Sequence, residues 1–123
     1  MSRRLLVVDD DDAIRTVARI SLERVAGWEV IPAASGQEAL RAAADRGPFD
    51  AVLLDVMMPG LDGASTFARL RQGPLAAEVP VIFLTAKTGA ADREGLRALG
   101  AAGVIAKPFD PMTLAEEIER ILA

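Results

Sequence analysis

The sequence predicts a doubly wound α/β sandwich of five parallel strands and five helices, and three observations predict it. Residues 5–8, 51–54, 81–84 and 103–106 are apolar runs without polar interruption, the pattern of strands covered on both faces in a parallel sheet. Each run stops at a residue with useful chemistry: Asp9 and Asp10, Asp55, Thr85, and Lys107. Segments of helical period separate the runs, and several open on a capping signature.

Taken in order, the first strand empties into four consecutive carboxylates, Asp9 to Asp12. The helix after it carries Ile14, Val17, Ala18, Ser21, Leu22 and Val25 at three- and four-residue spacing, a stripe for one buried face, with Asp11 or Asp12 as its cap. A short second strand over 29–33 precedes Ser35-Gly36-Gln37-Glu38, a capping box for a helix bearing Ala39, Leu40, Ala43 and Ala44 that Gly47-Pro48 ends. The third strand stops at Asp55. A third helix is expected after Asp62-Gly63 with Phe67 and Leu70 inward, and residues 71–80, with two prolines, read as loop. The fourth strand stops at Thr85 and a fourth helix covers roughly 90–99. The fifth strand stops at Lys107, and the last helix is expected from Asp110-Pro111, a cap followed by proline at the first helical position, burying Leu114, Ile118, Ile121 and Leu122.

Length and composition bound the function. The 123 residues, 51% apolar and 26% charged, suit one domain over 1–123 with its own core, and the expectation is a single domain without an output module. No apolar run has the length of a membrane span and the N-terminus lacks a signal-peptide pattern, so the cytoplasm is the expected location. The absence of cysteine removes disulfides, thiolate metal sites and cysteine nucleophiles. The absence of histidine removes imidazole general bases, the usual serine triads and any phosphohistidine of the chain's own. A net charge of −4 argues against direct nucleic-acid binding.

In a doubly wound sheet the first, third, fourth and fifth strand ends share one edge, so Asp9, Asp10, Asp55, Thr85 and Lys107 converge although distant in sequence. Singly, each has an ordinary explanation: a solvated helix start for the acid run, a turn residue in Asp55, a β-branched strand residue in Thr85, a surface charge in Lys107. Their joint placement at successive strand ends points to a site. A like-charge pair about 4 Å apart costs about 4 kcal/mol at an effective dielectric of 20, so gathered carboxylates need compensation. Lys107 supplies one positive charge and a divalent cation the rest; hard oxygen donors favour Mg2+, and such a site supports in-line phosphoryl transfer.

The set Val7-Val8-Asp9-Asp10, residues 54–63 (Leu-Asp-Val-Met-Met-Pro-Gly-Leu-Asp-Gly), Leu84-Thr85-Ala86 and Lys107-Pro108-Phe109 resembles the receiver domain of two-component response regulators, of the chemotaxis-regulator kind, over essentially the whole chain. The resemblance implies a flavodoxin-like sheet of order 2-1-3-4-5. It implies that Asp55 accepts the phosphoryl group, that Asp10 and Asp55 hold Mg2+ through side chains and Met57 through its backbone carbonyl, and that Asp9 acts mainly through a metal-bound water. It also implies that Thr85 hydrogen-bonds one phosphoryl oxygen, that Lys107 neutralises another, that the small Ala86 admits the group, and that Pro108 follows a cis bond aiming the lysine inward. Two departures stand out. Val104 occupies the position three before the lysine where the family commonly has an aromatic residue coupled to the threonine. Met57 and Lys87 occupy the two positions that in the family tune how quickly water removes the phosphoryl group.

These residues predict a phosphorylation-controlled switch, not an enzyme with turnover on a separate substrate. A histidine kinase or histidine phosphotransfer protein donates, Asp55 accepts, and a protein target is contacted through the face of the fourth helix, fifth strand and fifth helix, with Arg93, Arg97, Glu116 and Arg120 as candidates there. Alternatives are the excised receiver of a larger regulator or hybrid kinase, and a degenerate receiver that only binds. An aspartate-nucleophile phosphatase of the haloacid dehalogenase type would need a second aspartate where Met57 stands.

Overall fold

The computed structural model describes residues 2–75 and 77–123. Its elements are β1 (Arg4–Val8), α1 (Asp12–Ala26), β2 (Glu29–Ala33), α2 (Gly36–Asp45), β3 (Ala51–Asp55), α3 (Gly63–Gln72), β4 (Val81–Thr85), α4 (Ala90–Ala98), β5 (Gly103–Ala106) and α5 (Leu114–Leu122). All strand pairings are parallel and the sheet order is β2-β1-β3-β4-β5.

Alternation along each strand splits the core into two layers. Leu5 and Val7 join Leu53, Ile82, Leu84 and Ile105 beneath α1 and α5, where Leu22, Leu114 and Ile118 close the layer. Leu6 and Val8 join Val52, Leu54 and Phe83 on the opposite face, covered by Ala39 and Ala43 of α2, Phe67 and Leu70 of α3, and the partly buried Leu96 of α4. Every residue of β3 and β4 is buried, which explains why those runs carry no polar residue before their last position.

Three helices are capped by side chains. Asp11 Oδ1 accepts from the N–H groups of Ala13 (2.9 Å) and Ile14 (3.3 Å), Ser35 Oγ from Glu38 N–H (3.1 Å), and Asp62 Oδ1 from Ser65 N–H (2.8 Å). Gly27, in the left-handed region at φ 72°, ends α1. Three expectations are corrected. In α1 only Ala18, Ser21 and Leu22 of the predicted stripe are buried, while Val17, on the edge of the contact face, and Val25, in the last turn, are exposed. They line an apolar depression with Ile20, Pro111 and Met112. The helix α5 begins at Leu114, not at Asp110, because the Asp110 carboxylate accepts from Met112 N–H (2.8 Å) and its carbonyl from Thr113 N–H (3.1 Å), closing a separate turn. Its Ile121 and Leu122 are only partly buried against the core. Finally, Arg71 and Gln72 still belong to α3, so the loop starts two residues later than expected.

One glycine is fixed by close approach. A Cβ on Gly63 would lie 2.4 Å from the Asp55 carbonyl oxygen and 2.8 Å from Val56 Cα, both backbone atoms that cannot step aside. The start of α3 is thereby pressed onto the end of β3, and Gly63 N–H donates to Val56 O (3.0 Å) across the junction. Gly63→Ala is expected to lose about 1–3 kcal/mol by overpacking, read from denaturant unfolding. A loss below about 0.5 kcal/mol, the usual range for unconstrained surface changes, would contradict the close-approach account.

Candidate functional site

Because every strand runs the same way, the carboxyl ends of β1, β3, β4 and β5 lie on one edge. The sheet order reverses direction between β1 and β3, where open α/β sheets leave a crevice for ligands. Asp9 follows β1 directly, Asp55 is the last residue of β3, Thr85 the last of β4, and Lys107 follows β5. Register holds them level: Val8 pairs with Leu54, Asp55 with Leu84, and Thr85 with Ala106, while Lys107 N–H donates to Thr85 O (2.9 Å).

Three of the predicted acids meet. Carboxylate oxygens of Asp9, Asp10 and Asp55 lie within 4.8 Å of one another, with Asp9 and Asp55 buried and Asp10 exposed at the mouth. Lys107 Nζ stands 2.8 Å from Asp9 Oδ2 and 3.0 Å from Asp55 Oδ1, a half-buried cation between two buried anions. Asp9 Oδ1 accepts from Asp11 N–H (2.9 Å), and Asp55 Oδ1 from Met57 N–H (3.3 Å).

The electrostatics are unbalanced without a further cation. Burial pushes the Asp55 carboxyl up to about 6 from its ordinary 3.8; the hydrogen bond from Lys107 pulls the other way, and the Asp9 charge adds to the rise. For Lys107, burial lowers the ammonium, but the hydrogen bonds and charges of Asp9 and Asp55 together outweigh it, and its pKa ends above the ordinary value. Asp9 Oδ2 is buried, and its contact is the Lys107 ammonium at 2.8 Å. Three carboxylates against one ammonium leave excess negative charge in an all-oxygen cluster, which fits a hard divalent cation that shares the site with the lysine.

The remaining predicted residues are placed as follows. Thr85 is buried, and its Oγ1 accepts from Lys87 N–H (3.0 Å). Ala86 and Lys87 are exposed just beyond it, and Lys87 lines a depression with Thr85, Val56, Met57 and Leu96, so Met57 and Lys87 face the same space. The Met57 side chain is 68% exposed. Lys107-Pro108 is a cis bond. Val104 is buried on β5 opposite Phe83, and lines a groove with Arg93, Arg97, Glu117 and Arg120, while Glu116 is exposed on α5. Sequence reasoning missed Arg15, whose guanidinium donates to the Asp9 carbonyl (2.6 Å) and pairs with Asp12. The Asp12–Arg15 spacing of three on a helix was the available signal.

The description "Response regulator receiver domain" matches residues 5–119. The chain belongs to the response regulator receiver family. It is 40% identical over 122 residues to the alkaline phosphatase synthesis transcriptional regulatory protein PhoP of Bacillus subtilis, covering 99% of this chain and 49% of that protein. It is 38% identical over 124 residues to the phosphate regulon transcriptional regulatory protein PhoB of Pseudomonas aeruginosa, covering 99% of this chain and 52% of that one. This receiver thus spans about half the length of these relatives. Among solved structures, the chemotaxis response regulator CheY4 of Vibrio cholerae superposes with a TM-score of 0.90 at 34% identity, covering 98% of this chain and 99% of that one. The receiver domain of the sensor histidine kinase PA1611 of P. aeruginosa, solved with a magnesium ion coordinated in its active-site cleft, gives 0.84 at 33% identity with full coverage of both. Among the described residues of the receiver no helix is long and apolar enough to cross a membrane.

Proposed function

We propose that this receiver accepts a phosphoryl group on Asp55 from a histidine kinase or histidine phosphotransfer protein, and that the acyl phosphate so formed changes a protein-binding surface. The observation that carries the reading is the buried Asp55 carboxylate facing Lys107 Nζ at 3.0 Å in a crevice whose one exposed acid is Asp10. Attack by an Asp55 oxygen on phosphorus forms a P–O bond as the P–N bond of the donor's phosphohistidine breaks, and the imidazole keeps the electron pair and takes up a proton. Lys107 holds charge that would otherwise build up on a phosphoryl oxygen, and the Thr85 hydroxyl, now accepting from Lys87 N–H, is free to donate to another. Asp9, Asp10, Asp55 and the Met57 carbonyl are the groups that would hold Mg2+, which when bound supplies positive charge to the transferring phosphoryl oxygens. Ala86 offers the least bulk of any chiral residue beside that position.

The covalent change must reach a surface that a partner reads. Val104 carries no ring to follow Thr85, and it faces the groove of Arg93, Arg97, Glu117 and Arg120 on the proposed partner face. The helix α4 beside it has no buried residue and no side-chain cap, which suits an element that moves. A beryllofluoride mimic with Mg2+ tests the reading: amide NMR signals of the loop after Thr85 and of α4 are expected to shift, and Asp55→Asn to shift none. Thr85→Ala is expected to weaken those shifts. Val104→Ala is expected to reduce stability by up to about 2 kcal/mol and leave them largely intact. Loss of the α4 shifts in Val104→Ala, with folding and mimic binding retained, would make the valine the relay instead.

A further inference from the structure

The acid pair after β1 is held by a residue that belongs to neither the carboxylate cluster nor the core. The Asp9 carbonyl lies beyond the sheet ladder, on a residue that is fully buried, and its partner is Arg15, whose Nη1 donates to it at 2.6 Å from the second turn of α1. The Arg15 side chain is itself only 17% exposed and is held from its other side by Asp12, the first residue of the helix. The Asp9–Asp10 peptide is therefore fixed at both ends: its carbonyl by Arg15, and the residue after it by the bond from Asp11 N–H to Asp9 Oδ1 (2.9 Å). The Asp10 carboxylate has no hydrogen bond or ion pair of its own among the described residues, so its place in the cluster is inherited from that peptide.

We propose that Arg15 is a positioning residue for the metal site, acting through the Asp9 carbonyl to present the Asp10 carboxylate to a divalent cation. The inference rests on the reading of Asp9, Asp10 and Asp55 as the Mg2+ ligands. Its physical signature has a sign. If Arg15 acted only as a nearby positive charge, removing it would lower the potential opposing a cation and raise Mg2+ affinity. If it positions Asp10, removing it must lower the affinity, as loss of an outer partner of a metal ligand does, by about 10-fold.

Isothermal titration of Mg2+ into the purified chain separates the cases, with amide NMR shifts of Asp10 and Asp11 as a second readout. Arg15→Met is expected to weaken binding by about 10-fold, and Arg15→Lys, which keeps the charge but not the planar fork, to weaken it several-fold. In an Asp10→Asn background, Arg15→Met is expected to add almost nothing, because the carboxylate it positions is gone; a general loss of structure would lower affinity equally in both backgrounds. Unchanged or tighter binding in Arg15→Met, full affinity in Arg15→Lys, or additive losses in the double variant would each overturn the inference. Should Arg15→Met not fold, the Arg15→Lys comparison decides alone. If instead Asp10→Asn leaves Mg2+ affinity unchanged, the reading of the metal ligands fails first.

Discussion

Asp55→Asn will make the metal-free receiver more stable at neutral pH, by about 3 kcal/mol, and the gain will vanish in acid. The sign follows from the Asp55 carboxyl, raised to about 6 in the folded chain from an ordinary 3.8. Between those values the folded state holds a proton that the unfolded state has released, so Asp55 favours folding below about pH 4. That advantage is lost as pH rises through 6. The span from 3.8 to about 6 corresponds to about 3 kcal/mol at 1.36 kcal/mol per pH unit. Denaturant unfolding of both proteins in chelator from pH 4 to 8 measures it, the difference between the two curves isolating this group from other carboxylates. Mg2+ should stabilise the natural sequence and do less for the variant, since a ligand of the folded state adds stability that grows as the logarithm of one plus its concentration over Kd. A variant less stable than the natural sequence at pH 7.5 in chelator would mean that Lys107 already satisfies Asp55.

Lys107→Met carries the next largest effect, in the opposite direction. It removes the cation between two buried carboxylates, and stranding buried charge in this way costs about 3–5 kcal/mol, the lower end being expected where the lysine is half-buried. The loss should shrink as pH falls toward 6, because without the lysine's hydrogen bond and charge Asp55 takes up its proton at higher pH than in the natural sequence. Lys107's own raised pKa keeps its contribution present through neutral pH, to be lost only as pH climbs through that raised value. Phosphorylation from a small donor should slow by about 100- to 1,000-fold, the usual loss when a donor aimed at a developing oxyanion is removed. Mg2+ affinity should rise, because lysine and metal compete for the same oxygens. Stability at pH 7.5 and labelling rate both within error of the natural sequence would refute the role given to this lysine.

The site was legible because each strand advertises its own end. In Leu5-Leu6-Val7-Val8 and Ala51-Val52-Leu53-Leu54 both layers of the core demand apolar residues, so the first polar residue after each run marks the edge where parallel strands finish. Helix faces were less legible. Val17 and Val25 repeat at core spacing but lie at the side and end of α1, where the sheet no longer covers them, and periodicity does not report where a neighbour stops. The start of α5 was hidden because Asp110 followed by proline writes both a helix cap and a side-chain-closed turn, and the turn was formed. Arg15 escaped for another reason: its bond goes to a backbone carbonyl six residues away, and main-chain acceptors leave no mark in a sequence.

Covalent labelling tests the phosphoryl-acceptor assignment most directly. The purified receiver is incubated with acetyl phosphate or phosphoramidate, with Mg2+ or with chelator, and intact mass and peptide mapping locate any added phosphoryl group. One group on Asp55, present with Mg2+, absent in chelator and absent from Asp55→Asn, is the predicted result. Equal labelling of Asp55→Asn, or labelling that proceeds without Mg2+, would contradict it.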